Sequence, residues 1–438
     1  MASTYLSRTT GTPTSADIGT ISFWLKRSAI DQNNHYIISN YTDGSNYGYI
    51  RFKSGDQLQA YGTQSNDEKR TNRVFRDTNA WYHIVLRVDT TQSTASDRVR
   101  LYINGVQETS FSTNTNVSQN TDYDLFKSGG SMRIGSIQSG TMTYLDGCLS
   151  HFHYCDGQSY APTVFGSTDS TTGEWKINTS PTITMGNNGF TILKDGNTIT
   201  DQSANSNNFT LGAGTLTKTE DCPSNVFATW NRLAAHSSNV PFFTNGNTTV
   251  RGLDTSSQTV SSTLAMPSKG KWYCEMKLTQ EANATSSIPN FGIIDAASLH
   301  KFRNQELISY NGGVNSYGGR VNSTNLYVDG SSSGTLSSAP DVGDFMGLAV
   351  DLDSSPNTIK YYLNGSLAGT QNINNDEYVF ACSIKRDNAD GQVDVNFGNG
   401  YFGTTAVSSA GTNASGNGIF EYNVPTGYTA LSTKGLNL

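Results

Sequence analysis

Apolar and polar residues alternate along two similar stretches, one in each half of the chain. Between residues 82 and 88 every second side chain is apolar, which is the period of a β-strand with one buried face. A polar turn and a second alternating run over residues 99–103 follow, and Asn104-Gly105 favours a tight hairpin because both residues tolerate positive φ. Residues 348–365 repeat this order and end on Asn364-Gly365. Two copies of one β-meander predict two antiparallel β-sandwiches in tandem.

The length and composition agree with an all-β chain of two domains. At 438 residues the chain is too long for one sandwich, and its 43 Gly with many Ser, Thr and Asn residues suit turns. No stretch has a long helical period, so very little helix is expected. The predicted domains are a sandwich over residues 1–170, a connector over 171–229 and a second sandwich over 230–438. The connector is irregular, but we expect it to be ordered because it contains aromatic anchors such as Phe190 and Phe209.

The charge and targeting signals argue against several classes of partner. The net charge is −7 and the basic pairs Lys69-Arg70 and Lys385-Arg386 are short, which disfavours nucleic-acid binding. No apolar run approaches the length that spans a membrane, so no membrane insertion is expected. The N-terminus lacks the charged start and apolar core of a secretory signal. Five scattered cysteines without paired spacing predict buried free thiols in a protein made in a reducing cytoplasm.

Several phrases resemble two known families of β-sandwich. ISFWLKR, the meander of residues 81–107 and YLDGCLSHFHYCDG resemble the laminin G-like, concanavalin A-like jelly roll. In the second half, KWYCEM, VGDFMGLAVD and IKYYLNG resemble the SPRY-type sandwich, with Leu363 where that family usually has an aromatic residue. The resemblance implies a concanavalin A-like sandwich followed by a SPRY-like one.

Three other phrases resemble virion structural proteins of tailed phages, in particular marine, cyanophage-like ones. They are FGSTDSTTGEWKI after the first sandwich, EDCPSNVFATWN in the connector and VPTGYTALSTKGLNL at the C-terminal end. The resemblance implies a virion protein that is synthesised in the host cytoplasm and displayed on the particle surface.

Carboxylates decide whether such a sandwich is an enzyme, because concanavalin A-like folds include glycoside hydrolases. A retaining enzyme needs two acids about 5–5.5 Å apart, usually at alternating positions on one strand. The sequence contains no E-x-D-x-E run. Asp351 and Asp353 alternate but precede a polar turn, so we expect a solvated pair at a strand end, and Glu275 lacks an evident partner. The sequence predicts no catalytic residues.

The candidate metal ligands are few. His151, His153 and Cys155 would share one face of a strand if no bulge intervenes, but no second Cys/His cluster completes a zinc site, and we expect exposed histidines there. The turn over residues 41–44 contains Asp43 and weakly indicates a calcium site, although Asp and Gly also suit turns by themselves. No metal or other cofactor is predicted, and calcium remains the one alternative.

Two groups of tyrosines near Gly- and Asn-rich turns are the candidate ligand-binding residues. Flat aromatic rings beside Asn and Gly can stack on a sugar or anchor a protein partner at little cost in side-chain entropy. The alternative is that these rings are alternating strand residues that pack at the edge of a sandwich. The candidates are Tyr41, Tyr47 and Tyr49 in the first group and Tyr310, Tyr317 and Tyr327 in the second.

These observations predict a non-catalytic phage protein of the head-decoration or head-fibre type. It would dock on other virion proteins, of the capsid or the tail, and contact host-surface glycans. Stable display on a particle favours a homo-oligomer, and a trimer is our first hypothesis. Two alternatives remain, a tail-fibre receptor-binding protein and a polysaccharide depolymerase with a concanavalin A-like catalytic domain. A bacterial glycan-binding adhesin is disfavoured by the missing signal peptide.

Overall fold

A computed structural model gives the fold of the chain in two compact units, residues 1–218 and 219–438. All structural statements refer to the residues that it describes, which are 3–30, 33–62, 66–139, 143–194, 196, 198–234, 240–253, 255–282, 289–302, 307, 313–387 and 389–437. Both units are built from antiparallel sheets, which confirms the predicted all-β class with multiple sandwich-forming sheets.

The first unit contains an eight-stranded sheet in the order β10-β6-β5-β4-β3-β11-β1-β16. Strands are numbered in chain order, and those of this sheet are β1 (Tyr5–Thr9), β3 (His35–Asp43), β4 (Asn46–Phe52), β5 (Gln57–Gly62), β6 (Asp67–Val74), β10 (Phe111–Thr115), β11 (Ser131–Ile134) and β16 (Thr210–Ala213). A six-stranded sheet in the order β15-β12-β2-β7-β8-β9 accompanies it. Its strands are β2 (Ile18–Arg27), β7 (Trp81–Asp89), β8 (Val99–Ile103), β9 (Val106–Gln107), β12 (Gly147–Asp156) and β15 (Phe190–Ile192).

The alternating apolar residues of these strands form one core. Ile38, Ile50 and Ala60 lie opposite one another across three strands of the larger sheet and are fully buried. From the smaller sheet, Phe23 and Phe152 stack with ring centroids 4.9 Å apart. This burial of apolar area on facing sheets is the main stabilising contribution.

The predicted meander is present in the first unit, but it is covered on both faces. Asn104 and Gly105 form the turn between β8 and β9 with φ of 48° and 78°, as the hairpin prediction requires. His83 and Val85, which point away from the core, are nevertheless fully buried. The expectation of a single buried face was wrong here, because residues after β12 fold back over this sheet and pack Phe165 against Val85.

The predicted connector divides between the two units. Residues up to 218 group with the first unit: β15 pairs with β12, β16 pairs with β1, and a short ribbon of β13 (Gly166–Thr168) and β14 (Trp175–Ile177) lies between them in sequence. Arg8 of β1 donates hydrogen bonds to the carbonyl of Asn188 at 2.9 Å and to Oδ1 of Asn207 at 2.6 Å. The connector is therefore ordered by strand pairing and polar contacts as well as by its aromatic residues.

The second unit repeats the plan with a seven-strand path, β17-β18-β29-β20-β25-β26-β27, and a short parallel strand, β32, beside β20. These strands are β17 (Phe242–Thr244), β18 (Thr249–Arg251), β20 (Lys271–Gln280), β25 (Phe345–Asp351), β26 (Asn357–Leu363), β27 (Ser366–Ile373), β29 (Gln392–Asn396) and β32 (Thr429–Ala430). The facing sheet has the order β19-β28-β21-β22-β23-β24. Its strands are β19 (Gln258–Ser261), β21 (Asn290–Asp295), β22 (Ser316–Arg320), β23 (Asn325–Val328), β24 (Ser331–Thr335) and β28 (Tyr378–Ile384), and β30 (Tyr401–Phe402) pairs with β31 (Thr405–Ala406).

The second meander also matches its prediction. Strands β25 and β26 pair in register, and Asn364 and Gly365 close the next hairpin with φ of 47° and 79°. Leu348 and Val350 are fully buried in the core of this unit. The two Asn-Gly turns thus adopt the same conformation in the two units.

Helical structure is limited to short 3₁₀ segments in the described part of the chain. They are Ala95–Asp97, Asp124–Phe126, Pro162–Val164, Arg232–Ala234, Ala296–Phe302 and Gly435–Asn437. None of the described helices has the length and apolar character needed to cross a membrane.

Candidate functional site

Five tyrosines lie on one face of the eight-stranded sheet, opposite the core. Tyr41 pairs with Tyr47 across β3 and β4, and Tyr49 pairs with Tyr61 across β4 and β5. Because directly opposed residues in a sheet share a face, and residues two apart on a strand do too, these rings point to the same side. Tyr36 of β3 joins them, since it contacts Tyr49 edge to face with ring centroids 5.1 Å apart. We call Tyr36, Tyr41, Tyr47, Tyr49 and Tyr61 the tyrosine face.

The rings of the tyrosine face form one continuous group. Tyr47 lies 5.9 Å from Tyr41, 6.1 Å from Tyr49 and 5.9 Å from Tyr61, measured between ring centroids. Tyr49 and Tyr61 are 5.2 Å apart. Tyr49 is buried beneath its neighbours, with 6% of its surface exposed, whereas the other four rings are partly exposed. The mutual contacts fix the rings, so that a ligand would find them already ordered.

Arg51 and Gln59 connect the tyrosine face to a polar network. The Arg51 guanidinium lies 4.5 Å from the Tyr49 centroid and donates to the Tyr36 hydroxyl at 2.7 Å. Its Nε donates to Oε1 of Gln59, and Nε2 of Gln59 donates to Glu68, both at 2.7 Å. Arg, Gln and Glu supply donors and acceptors beside the rings, the combination that orients a polar ligand on an aromatic surface.

Two hydroxyls of this face, those of Tyr49 and Tyr61, are held in the neutral form by burial. Burial raises the pKa of Tyr49, and it is the main cause of a raised pKa for Tyr61 as well. Arg51, Arg70 and Glu68 are charged side chains beside these rings, and Arg70 Nε lies 3.6 Å from Glu68 Oε1. The hydroxyls can act as both donors and acceptors.

The structure brings the first predicted group together and adds two residues to it. Tyr41, Tyr47 and Tyr49 lie in strands and share a face, which agrees with the alternative that they are alternating strand residues. Tyr36 and Tyr61 were not predicted, because their proximity depends on the pairing of β3 with β4 and of β4 with β5. The alternation that places Tyr61 on one face of QLQAYG was a local signal for that residue.

The second predicted group does not form a comparable surface. Tyr310 lies outside the described residues. Tyr317 is in β22, and only 3% of it is exposed, because it points into the core and contacts Tyr378. A ligand-binding role does not fit this buried position. Tyr327 is partly buried, and the Arg320 guanidinium lies 5.4 Å from its ring centroid.

The acids that the sequence singles out have structural partners. Glu275 is fully buried and accepts hydrogen bonds from the backbone N–H groups of Glu421 and Tyr422 at 2.8 and 2.9 Å. Burial raises the pKa of Glu275 to about 7. Asp351 is 5% exposed and pairs with Lys271 at 2.9 Å, so the expectation of a solvated pair with Asp353 was wrong. Asp353 instead accepts a hydrogen bond from the Gly270 N–H.

The histidines of β12 are buried, not exposed as predicted. A register shift between Ser150 and His153 marks a β-bulge, and His151 has a φ of 47° there. The bulge removes the simple alternation that would have aligned His151, His153 and Cys155. Burial lowers the pKa of His153 to about 3, and its Nδ1 lies 2.9 Å from the Thr191 hydroxyl. Within the described ranges, no cluster of three or more His, Cys, Asp or Glu side chains is arranged to hold a metal ion.

The remaining candidate features are local. Asp43 accepts hydrogen bonds from the Ser45 N–H at 2.8 Å and from the Asn46 side chain at 3.0 Å, so its carboxylate organises the turn that was considered for calcium. The five cysteines form no disulfide. Cys155, Cys274 and Cys382 are buried as predicted, whereas Cys148 and Cys222 are partly exposed, so the prediction of buried thiols was wrong for these two.

Comparison with known families places the first sandwich. Residues 2–158 match the model of the "Concanavalin A-like lectin/glucanases superfamily", of the laminin G type. No curated protein matches the chain.

Solved structures with a similar fold include SPRY and lectin-like domains. The SPRY domain of human HERC1 is 16% identical with a TM-score of 0.31, and the match covers 38% of this chain and 96% of that one. A heptameric SAP-like pentraxin from Limulus polyphemus is 20% identical with a TM-score of 0.28, covering 36% of this chain and 72% of that one. A putative carbohydrate binding protein from Bacteroides ovatus is 16% identical with a TM-score of 0.33, covering 50% and 58%. At these values the likeness concerns the fold and carries no functional argument. Residues 2–158 thus form a concanavalin A-like, laminin G-type domain, within an all-β chain that has SPRY-like structural neighbours.

Proposed function

We propose that the protein is a non-catalytic surface component of a tailed-phage virion that contacts host-surface glycans through the tyrosine face. The observation that carries the glycan part is the group of five tyrosine rings, 5.1–6.1 Å apart between neighbours, on the exposed side of the larger sheet. Aromatic rings stack on the apolar faces of sugar rings, and Tyr hydroxyls bond to sugar hydroxyls.

Polar residues beside the rings support a carbohydrate ligand. Arg51, Gln59 and Glu68 form a chain of hydrogen bonds at 2.7 Å that holds their side chains in place. Sugar hydroxyls both donate and accept hydrogen bonds, and this network offers hydrogen-bond donors and acceptors next to the rings. The preordered surface reduces the entropy lost on binding.

The position of the acids supports a role without catalysis. Glu275 is fully buried and bonded to two backbone N–H groups, and Asp351 is buried in an ion pair with Lys271. A glycosidase of this fold needs its two carboxyl groups at the surface of a substrate cleft. A reducing-end assay on host surface polysaccharide tests the point, since sustained release of sugar would contradict the proposal.

The virion part rests on the sequence phrases that resemble tailed-phage structural proteins. Immunogold labelling of intact particles tests it: gold on the head supports a decoration or head-fibre protein, gold on the tail favours the tail-fibre alternative, and unlabelled particles contradict a virion role. We also propose that the protein self-associates on the particle, as a trimer. Light scattering coupled to size exclusion would contradict the trimer if it gave a strict monomer both for the purified protein and for the protein released from disassembled particles.

Titration calorimetry with oligosaccharides from host surface polysaccharide tests the glycan site. Tyr47→Ala and Tyr61→Ala each remove one partly exposed ring, and we expect each to raise Kd roughly 3- to 10-fold, because one aromatic contact is worth about 0.5–1.5 kcal/mol. Tyr327→Ala in the other unit is the control and should leave Kd unchanged. If both variants of the tyrosine face bind like the parent protein, the site is assigned incorrectly.

A further inference from the structure

Two charged residues at the edge of the first sandwich, Lys69 and Asp67, are buried and have no part in the tyrosine face. Lys69 and Asp67 alternate on β6 and point inward, with only 3% and none of their respective surfaces exposed. Nζ of Lys69 lies 3.3 Å from Oδ1 of Asp67. Burying an ammonium is unfavourable unless strong acceptors surround it.

The other acceptors of Lys69 are the last residue of β10 and the residue that follows it. Nζ donates to the carbonyl of Thr115 at 2.6 Å and to Oδ1 of Asn116 at 2.8 Å. Oδ1 of Asn116 is bonded to the carboxamide carbon Cγ, so Cγ lies one bond beyond the atom that accepts the hydrogen bond from Nζ. Such an approach is close to the distance at which reacting atoms are held before a bond forms.

Asp67 is positioned as an acid–base group for these atoms. The Tyr123 hydroxyl donates to its Oδ2 at 3.1 Å, and the N–H of Val117, next to Asn116, also donates to the carboxylate. Tyr123 and Val117 are fully buried. Burial raises the pKa of Asp67 to about 6, so this side chain can take up and return a proton near neutral pH.

We propose that Lys69 and Asn116 become joined by an intramolecular isopeptide bond, with Asp67 as the catalytic residue. The arrangement supplies an amine nucleophile that contacts both a carboxamide oxygen and a buried carboxyl group. Tyr123 is a positioning residue, since it touches Asp67 and none of the reacting atoms.

The reaction balances without a further reactant. Asp67 accepts a proton from the Lys69 ammonium, which replaces two buried charges by two neutral groups. The free electron pair of Nζ attacks Cγ of Asn116, so that the Nζ–Cγ bond forms and the Cγ–Nδ2 bond breaks. Asp67 transfers the proton to the departing nitrogen, and the second proton lost by Nζ leaves with it, so the products are a secondary amide and an ammonium ion. Asn116 is exposed, so the ammonium is released directly to solvent.

The bond would secure β10, one of the two edge strands of the larger sheet. Strand β10 pairs only with β6 in the order of that sheet, and residues on it are largely exposed. A covalent link from β6 to Asn116 would hold the end of β10 in place when backbone hydrogen bonds open. Edge strands are the part of a sheet most prone to separate or to pair with other chains.

The test is the intact mass of the full chain, measured under denaturing conditions. We expect a mass below that of the sequence by one molecule of ammonia. A tryptic digest should contain a branched peptide in which residues 54–70 are attached to residues 101–127, because cleavage after a linked Lys69 is blocked. A full mass for the soluble, folded protein overturns the proposal. A reduced mass with linear peptides only, as a succinimide at Asn116 would give, overturns it as well.

Variants identify the participating groups. Asn116→Ala and Lys69→Arg should have the full mass of their sequences, and Asn116→Asp should lose water instead of ammonia. Asp67→Asn should lack the bond if it folds. If it does not fold, the intact mass of the parent chain decides the question. Asn114→Ala is the matched control, because Asn114 lies opposite Lys69 on β10 yet makes no contact with Nζ, and it should keep the bond. Loss of the bond in that control would contradict the assignment to Asn116.

Discussion

The buried histidine His83 makes the stability of the first unit depend strongly on pH. It is fully buried in β7, where Trp175 Nε1 donates to its Nδ1 at 3.0 Å and its Nε2 lies 2.9 Å from the Ser22 hydroxyl. Because an indole N–H can only donate, Nδ1 must accept, and the proton of the neutral ring lies on Nε2. Protonating Nδ1 would set two N–H groups against each other.

The magnitude follows from the pKa values. Burial lowers the pKa of His83 from 6.5 to about 3, so the neutral ring stabilises the fold above pH 6.5, and this contribution is lost as the pH falls towards 3. At pH 5 the unfolded chain has bound the proton and the folded chain has not. Because pH 5 lies about 1.5 units below the unfolded-state pKa, the unfolding free energy falls by about 2 kcal/mol. His153, also lowered to about 3, adds a similar amount, whereas Asp67, raised to about 6, offsets part of it.

The assay compares the parent chain with His83→Gln at pH 8 and pH 5. Hydrogen exchange with mass spectrometry, read on peptides from β2, β7 and β12, reports the unfolding free energy of this unit separately from the other. Gln retains an N–H donor but does not titrate. We expect the variant to be less stable at pH 8 and to lose about 2 kcal/mol less than the parent between pH 8 and pH 5. A variant that folds natively, by near-ultraviolet circular dichroism, yet shows the parent's full pH dependence would refute the reasoning.

Two further predictions concern a buried acid and a tight turn. The pKa of Glu275 is raised from 4.5 to about 7, so the contribution of its protonated form to stability is present below pH 4.5 and is lost as the pH rises to 7. Glu275→Gln should remove about 3 kcal/mol of this pH dependence, measured by hydrogen exchange in β20. Unchanged dependence in the variant would contradict the burial argument. At Gly105 φ is 78° and an added Cβ would meet the Trp175 ring, so Gly105→Ala should destabilise the first unit by roughly 2–4 kcal/mol. Gly55, with φ of 84° and open space around it, is the control, and Gly55→Ala should cost about 1–2 kcal/mol in denaturant unfolding; equal effects would show that Trp175 does not constrain the turn.

The sequence alone was sufficient for the strands of the two meanders and for their Asn-Gly hairpins. Alternation over residues 82–88 and 348–352 identified two strands, and Asn104-Gly105 and Asn364-Gly365 adopt the positive φ values expected of them. These features depend on neighbouring residues, since the period of two and the tolerance of Asn and Gly for positive φ act within a few positions.

Tertiary structure decided which faces are covered and which distant residues meet. Alternation places His83 on one side of β7, but only the return of Trp175 shows that this side is buried. In the same way, strand register brings Tyr36 and Tyr61 to Tyr47 and Tyr49, and turns Tyr317 into the core. The bulge at His151 and the meeting of Lys69 with Asn116 also depend on pairing between segments far apart in the chain. A period states which residues share a face, whereas contacts over long sequence separations determine what that face touches.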